Sequence, residues 1–298
     1  MGIIKKTRMI GTSPGEIIKE YPSRGPIKQF RFEKIVAFAC FRCGKEKKAK
    51  LVTIYNENWN KRLCNGCYGH LLSIYEIKAN STSENEKVEN LSAVLLKLVS
   101  KNEIHLATQR LLIKENRLKY LDDQTIRFLA SAEHISSKLD EDYSLDWSPV
   151  VIGLCKSFEN ELVLKIIRPF KFACQSIDIE NDKSDKDIGR VAKYIDSNDS
   201  KDPEIGTFGH FLQTALNSKQ RRETSNLIKA FYDFLSRYPY SNWILDNLGL
   251  LNSIQLISKN FRNKAAHLDE LTKSDFEECK ELLIGNDGVL WKMNLALK

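Results

Sequence analysis

Near the end of the chain Arg262 and His267 bring together the side-chain types best suited to catalysis. An arginine fixed beside a phosphate stabilises charge developing on its oxygens. A histidine, with an unperturbed pKa of about 6.5, takes or gives a proton near neutral pH. Together they suffice to cleave RNA without a metal. The histidine helps the ribose 2′-hydroxyl attack the neighbouring phosphate, and the arginine holds the phosphorane. A second pair, Arg127 and His134, lies within a stretch of helical period and has no polar residue just after the arginine. Context separates the two. Arg262 is followed by Asn263, Lys264, two alanines and His267, and then by a turn and a new helix.

Four cysteines carry the other chemical signal. Cys40 and Cys43, then Cys64 and Cys67, form two C-x-x-C knuckles separated by twenty residues. Thiolates at that spacing close a tetrahedral zinc site. Four sulfurs leave no place for water or substrate, so the Zn2+ is structural. His70 follows Cys67 by three residues, beside a site that is already full, and reads as a surface or packing residue. Cys155, Cys174 and Cys279 sit in apolar-patterned segments and read as reduced core thiols. Charge is divided unevenly around the knuckles. Residues 1–79 hold 16 Lys/Arg against 6 Asp/Glu (+10), while the remainder holds 30 against 33 (−3). The positive excess on the cysteine module suits an acidic partner, with nucleic acid the first candidate.

The elements that must position these groups follow from period and punctuation. Residues 1–35 mix Gly, Pro and basic residues and read as an irregular basic arm. Ile35–Ala39 runs as a strand into the first knuckle, Leu51–Tyr55 is a second strand, and Cys64–Cys67 opens a helix through Tyr75. That order predicts a treble-clef finger over 36–80, with thiolates favoured at the helix N-terminus. The polar run Ser81–Lys87 marks a boundary, 81–140 reads as a helical spacer, and 141–298 as a separate helical domain. Helical period covers 87–100, 103–115, 123–138, 148–168, 186–196, 205–217, 221–237, 250–267 and 273–285. In 148–168 the stripe is Val151, Leu154, Cys155, Phe158, Leu162 and Ile166, with Glu159 and Glu161 on its shoulders and Asn160 pointing away. Ser274 with Glu277 predicts a capping box for the last helix. Residues 175–185 form an acidic loop. No apolar run reaches the ~18 residues of a membrane span, and the start lacks a secretory core, which predicts a cytoplasmic protein without a membrane partner.

The segment Phe261–Leu283, with Arg262-Asn-Lys-Ala-Ala-His267, Leu271-Thr272, Asp275 and Leu282-Leu283, resembles the C-terminal signature of HEPN domains. Asp146–Leu162 is similar to an early helix of bacterial members, so the resemblance spans about residues 143–287 and excludes the cysteine module. It implies a mainly α protein: a small four-cysteine zinc finger followed by an all-α HEPN-like bundle. It implies an endoribonuclease of a bacterial defence or toxin system, with Arg262, Asn263 and His267 as its catalytic set. Leu268-Asp-Glu270 follows the histidine where one toxin branch carries a tyrosine, which argues against that branch. On an ideal helix, positions five apart point about 140° from each other. A composite site shared by two copies is the arrangement that geometry and the resemblance predict. RNA, a second copy of the chain and a regulatory protein are the expected partners. The alternative is a silent scaffold that binds nucleic acid or protein. An active site needs Arg262 and His267 reachable across a cleft, whereas a silent one leaves them paired with carboxylates.

Overall fold

The structure, a computed structural model, describes residues 9–42, 44–80, 83–97, 101–139, 146–197, 201–267 and 270–298. The protein is mainly helical and divides into two compact units, Met1–Thr82 and Ser83–Lys298.

The first unit is a four-stranded antiparallel sheet followed by a helix. Its strands are β1 (Ile17–Glu20), β2 (Ile27–Ala39), β3 (Glu46–Tyr55) and β4 (Asn58–Leu63), paired in chain order. In β2, Phe30, Phe32, Val36 and Phe38 alternate with exposed residues, so one face of the strand is buried. With Val52, Ile54 and Trp59 they form the core, where Phe30 and Trp59 lie 4.6 Å apart between ring centres. Each such side chain contributes about 1.5–3 kcal/mol by leaving water. This alternation is why most of β2 lies in the segment expected as an irregular arm through residue 35; β1, also within it, is exposed and pairs with β2 along one edge. Asn56 and Glu57 join β3 to β4 with φ of 51° and 53°, the backbone of a type I′ turn, which matches the twist of the strands. Helix α1 (Asn65–Ala79) follows. The first knuckle thus sits between β2 and β3, and the second opens α1.

The second unit is helical. Helices α2 (Glu84–Lys97), α3 (Lys101–Lys114) and α4 (Asp123–Leu139) precede α5 (Ser148–Leu162), and α2 and α4 both pack on α5. Helices α2 to α4, in the segment 81–140 expected as a spacer, therefore share a compact unit with α5. Its apolar stripes need that partner. Gly153 of α5 allows the close approach, since a Cβ there would stand 2.3 Å from Leu95 Cδ2 of α2. All six predicted stripe residues of α5 and its continuation are buried. A π-helical turn, Val163–Ile167, leads into α6 (Arg168–Ala173). Helices α7 (Gly189–Asp196), α8 (Ile205–Asn217), α9 (Lys219–Thr224) and α10 (Asn226–Leu235) come next. Phe208 and Phe211 of α8 and Phe231 and Phe234 of α10 gather around Phe170 of α6. In the acidic loop Asp182 is buried and accepts the Leu227 N–H at 2.8 Å, while Asp185 pairs with Arg221. That loop tethers the start of α10.

Helix α11 (Asn252–Leu256) follows a π-helical turn, Asn247–Leu251, and runs through another, Ile257–Arg262, into α12 (Asn263–Ala266). Helix α13 (Lys273–Ile284) carries the capping box, but its members are Thr272 and Asp275, two residues earlier than the predicted Ser274 and Glu277. Thr272 has the extended backbone an N-cap needs, whereas Ser274 already lies inside the helix. Helix α14 (Val289–Ala296) has no counterpart in the sequence reading. Among the described residues no helix is long and apolar enough to cross a membrane.

Candidate functional site

Arg262 ends the π-helical turn before α12 and is only 5% exposed. A buried guanidinium must find partners. Its Nε donates to Oε1 of Glu159 at 2.5 Å, and its Nη2 donates to Oδ1 of Asn85. Glu159 also receives Lys156 Nζ at 3.0 Å, and Lys156 donates to Glu89 at 2.8 Å. The result is a chain of alternating charge across α2, α5 and the α11–α12 segment. Burial acts to lower the pKa of Lys156. The Glu159 and Glu89 carboxylates together outweigh it and hold the ammonium above its usual range. Lys156 therefore stays charged at neutral pH.

His267 follows α12 with extended backbone (φ −81°, ψ 173°). Its side chain is 55% exposed, and Nε2 lies 3.1 Å from Oε1 of Glu84. Glu84 and Asn85 are consecutive residues in the first turn of α2, so one end of one helix touches both Arg262 and His267. A separation of about 140° between the two side chains requires an ideal helix through residue 267. The π-helical turn and the exit at His267 remove that premise, and both side chains reach α2 within one chain. Asn263 is half-buried and faces neither Glu84 nor Asn85 through any hydrogen bond among the described residues.

A cleft of about 220 Å3 opens beside this corner, lined by Lys156, Glu159, Asn160, Arg168, Asn85 and Arg262, among others. His267 stands outside that lining. Asn160, expected to point away, donates to Asp122 Oδ1 and Thr125 Oγ1 and borders the cleft. Glu161 is fully buried, where it accepts the Asp122 N–H at 2.7 Å, and so braces the start of α4. The two shoulder glutamates thus have separate roles. The other Arg–His pair differs in access: the His134 side chain is only 10% exposed, with Nε2 3.3 Å from the Glu103 carboxylate on α3. Sequence reasoning missed Glu84, Asn85, Glu89 and Lys156. No local pattern links residues 177 positions apart, and only the charge of Lys156 beside Glu159 hinted at a network.

In the first unit Cys40 ends β2, and Cys64 and Cys67 start α1. All three are buried, their sulfur atoms lie within 4.8 Å of one another, and they could hold a metal ion. The Cys64 N–H donates to Cys40 Sγ at 3.3 Å. Soft thiolate donors with such support fit a metal ion. Cys43 lies outside the described residues. His70 does not join the three thiols. It is exposed, and the partial loss of water around its ring together with the Arg42 charge lowers its pKa.

The remaining cysteines are unsuited to nucleophilic work, because the reactive form is the thiolate. Burial pushes Cys174 up to about 12. Burial and the neighbouring Cys155 raise Cys279 well above the usual thiol range. When compared with known proteins, the chain matches no protein-family model, no curated protein and no solved structure.

Proposed function

We propose that this protein is an endoribonuclease whose chemistry runs through Arg262 and His267 of a HEPN-like helical domain. The observation that carries the reading is that the first turn of α2 gathers the cleft-lining Arg262 and the 55%-exposed His267 at one corner of the helical unit. Glu159 fixes the guanidinium plane without using it up. Arginine has five N–H donors, of which two are engaged, and Arg262 lines the cleft. The exposed imidazole of His267 takes the 2′-hydroxyl proton as the 2′-oxygen bonds to phosphorus. The P–O5′ bond breaks, and the departing oxygen takes a proton from water. The products are a 2′,3′-cyclic phosphate and a 5′-hydroxyl. A homodimer and a role in bacterial defence rest on the family resemblance. Three thiols suit Zn2+ with Cys43 as the fourth ligand, in a finger that recruits RNA or a regulatory protein.

One observation favours a second reading. Arg262 is buried against a carboxylate and His267 lies beside another, the arrangement expected of a silent scaffold. Cleavage of a labelled RNA pool by wild type and His267→Ala separates them. Wild-type cleavage that leaves cyclic-phosphate ends and vanishes in His267→Ala supports the nuclease. No cleavage by either folded protein supports the scaffold.

A further inference from the structure

The first unit holds a concavity of about 460 Å3 beside the cysteine cluster. Lys45, Lys47, Lys48 and His70 line it, and among the described residues no carboxylate does. None of the three lysines is ion-paired among the described residues. The two concavities of the helical unit differ on this point. In the cleft at Arg262, Lys156, Arg168 and Arg262 are each matched by a carboxylate. In the groove beside Trp291, Arg117 is paired with Glu115 and Lys165 with Glu161. Lys201 in the cleft and Lys298 in the groove have no carboxylate partner among the described residues, so the concavity of the first unit differs in having three such lysines and no ion-paired one.

The pocket is not lined by charge alone. Phe38, Ala49 and the 41%-exposed Leu51 give it apolar surface. Phe38 sits directly across the sheet from Lys47, and Val36 across from Ala49, so the strand register sets a cation beside the apolar patch. The volume falls within the about 300–1,000 Å3 of small-ligand pockets. That admits one base, with the backbone of a single strand running on past the lysines at its edge. Lysine ammoniums recognise phosphate as point charges, and an apolar surface takes the face of a base. We propose that this concavity binds single-stranded nucleic acid, with backbone phosphates on Lys45, Lys47 and Lys48 and a base against Leu51. An acidic peptide would use the lysines and leave the apolar patch idle.

The inference does not rest on the nuclease reading, and its test is kept apart from cleavage. Fluorescence anisotropy of labelled oligouridylate and oligothymidylate is followed against salt, using the full chain with His267→Ala as the parent. The variant Lys45→Gln/Lys47→Gln/Lys48→Gln is expected to lose at least tenfold in affinity. The slope of log affinity against log salt should fall by about 2, for three phosphate contacts at about 0.7 each. A control neutralising Lys186, Lys219 and Lys229 of the helical unit should leave slope and affinity near the parent. Leu51→Ser should weaken binding several-fold at unchanged slope. Unchanged metal content and circular dichroism establish that each variant is folded. Equal losses in the control, or no loss in the lysine variant, overturn the proposal. So do an unaffected Leu51→Ser or displacement of the RNA by a polyglutamate peptide of equal charge.

Discussion

Arg262 Nε lies 2.5 Å from Oε1 of Glu159, a residue 103 positions earlier in the chain, and both side chains are largely buried. Each satisfies a charge the other could not bury alone. Removing one member leaves an uncompensated buried ion, which costs about 3–5 kcal/mol. Glu159→Ala and Arg262→Ala should each lower the urea stability of the helical unit on that scale. The double variant Glu159→Leu/Arg262→Met should recover much of the loss. Additive losses would show that the pair is not formed in solution.

His267 is predicted to behave in the opposite way. Its side chain is more than half exposed, so His267→Ala should stay within about 0.5 kcal/mol of wild type in stability. RNA cleavage should disappear. Matching loss of both, read by denaturant titration beside the cleavage assay, would make the residue structural.

Helix capping gives a sharper local test. Thr272→Ala removes the hydroxyl that accepts the Asp275 N–H and should cost about 1 kcal/mol. Ser274→Ala, inside the exposed first turn, should change stability by no more than a few tenths. Thermal melts of the two variants decide it, and a larger effect at Ser274 would restore the box that sequence spacing suggests.

Asp275 also carries a pH signature. Burial acts to raise its pKa, but the hydrogen bonds from Lys264 and Thr272 outweigh this and hold the carboxyl below its usual range. A depressed folded pKa contributes stability above the unfolded value, about 3.9, that is lost as pH falls through the folded value. Stability should therefore fall as pH drops below about 4. Asp275→Asn should flatten that limb, as measured by unfolding at about pH 5 and about pH 3, on either side of the unfolded value. An unchanged limb would remove Asp275 from the acid response.

Metal removal should act on one unit. Chelation, or Cys64→Ser, is expected to abolish hydrogen-exchange protection in β2 to β4 while leaving the amides of α5 and α8 protected. Uniform loss across both units would contradict their independence.

The sequence by itself determined what depends on neighbours along the chain. Val36 and Phe38 mark the strand at Ile35–Ala39, while the same alternation at Phe30 and Phe32 lies in the segment expected as an arm. The stripe from Val151 to Ile166 specifies a helix, and the spacing of Cys40, Cys64 and Cys67 brings sulfurs to a strand end and a helix start. These signals are local because a strand repeats every two residues and a helix about every 3.6. Only the tertiary structure decided that α2 and α4 pack on α5, because an apolar stripe states that it needs a partner without naming one. It also decided that Glu159 meets Arg262, that Glu161 braces α4, and that Glu84 and Asn85 reach the two candidate residues. A buried charge must be matched by another, and packing, not spacing along the chain, chooses which one.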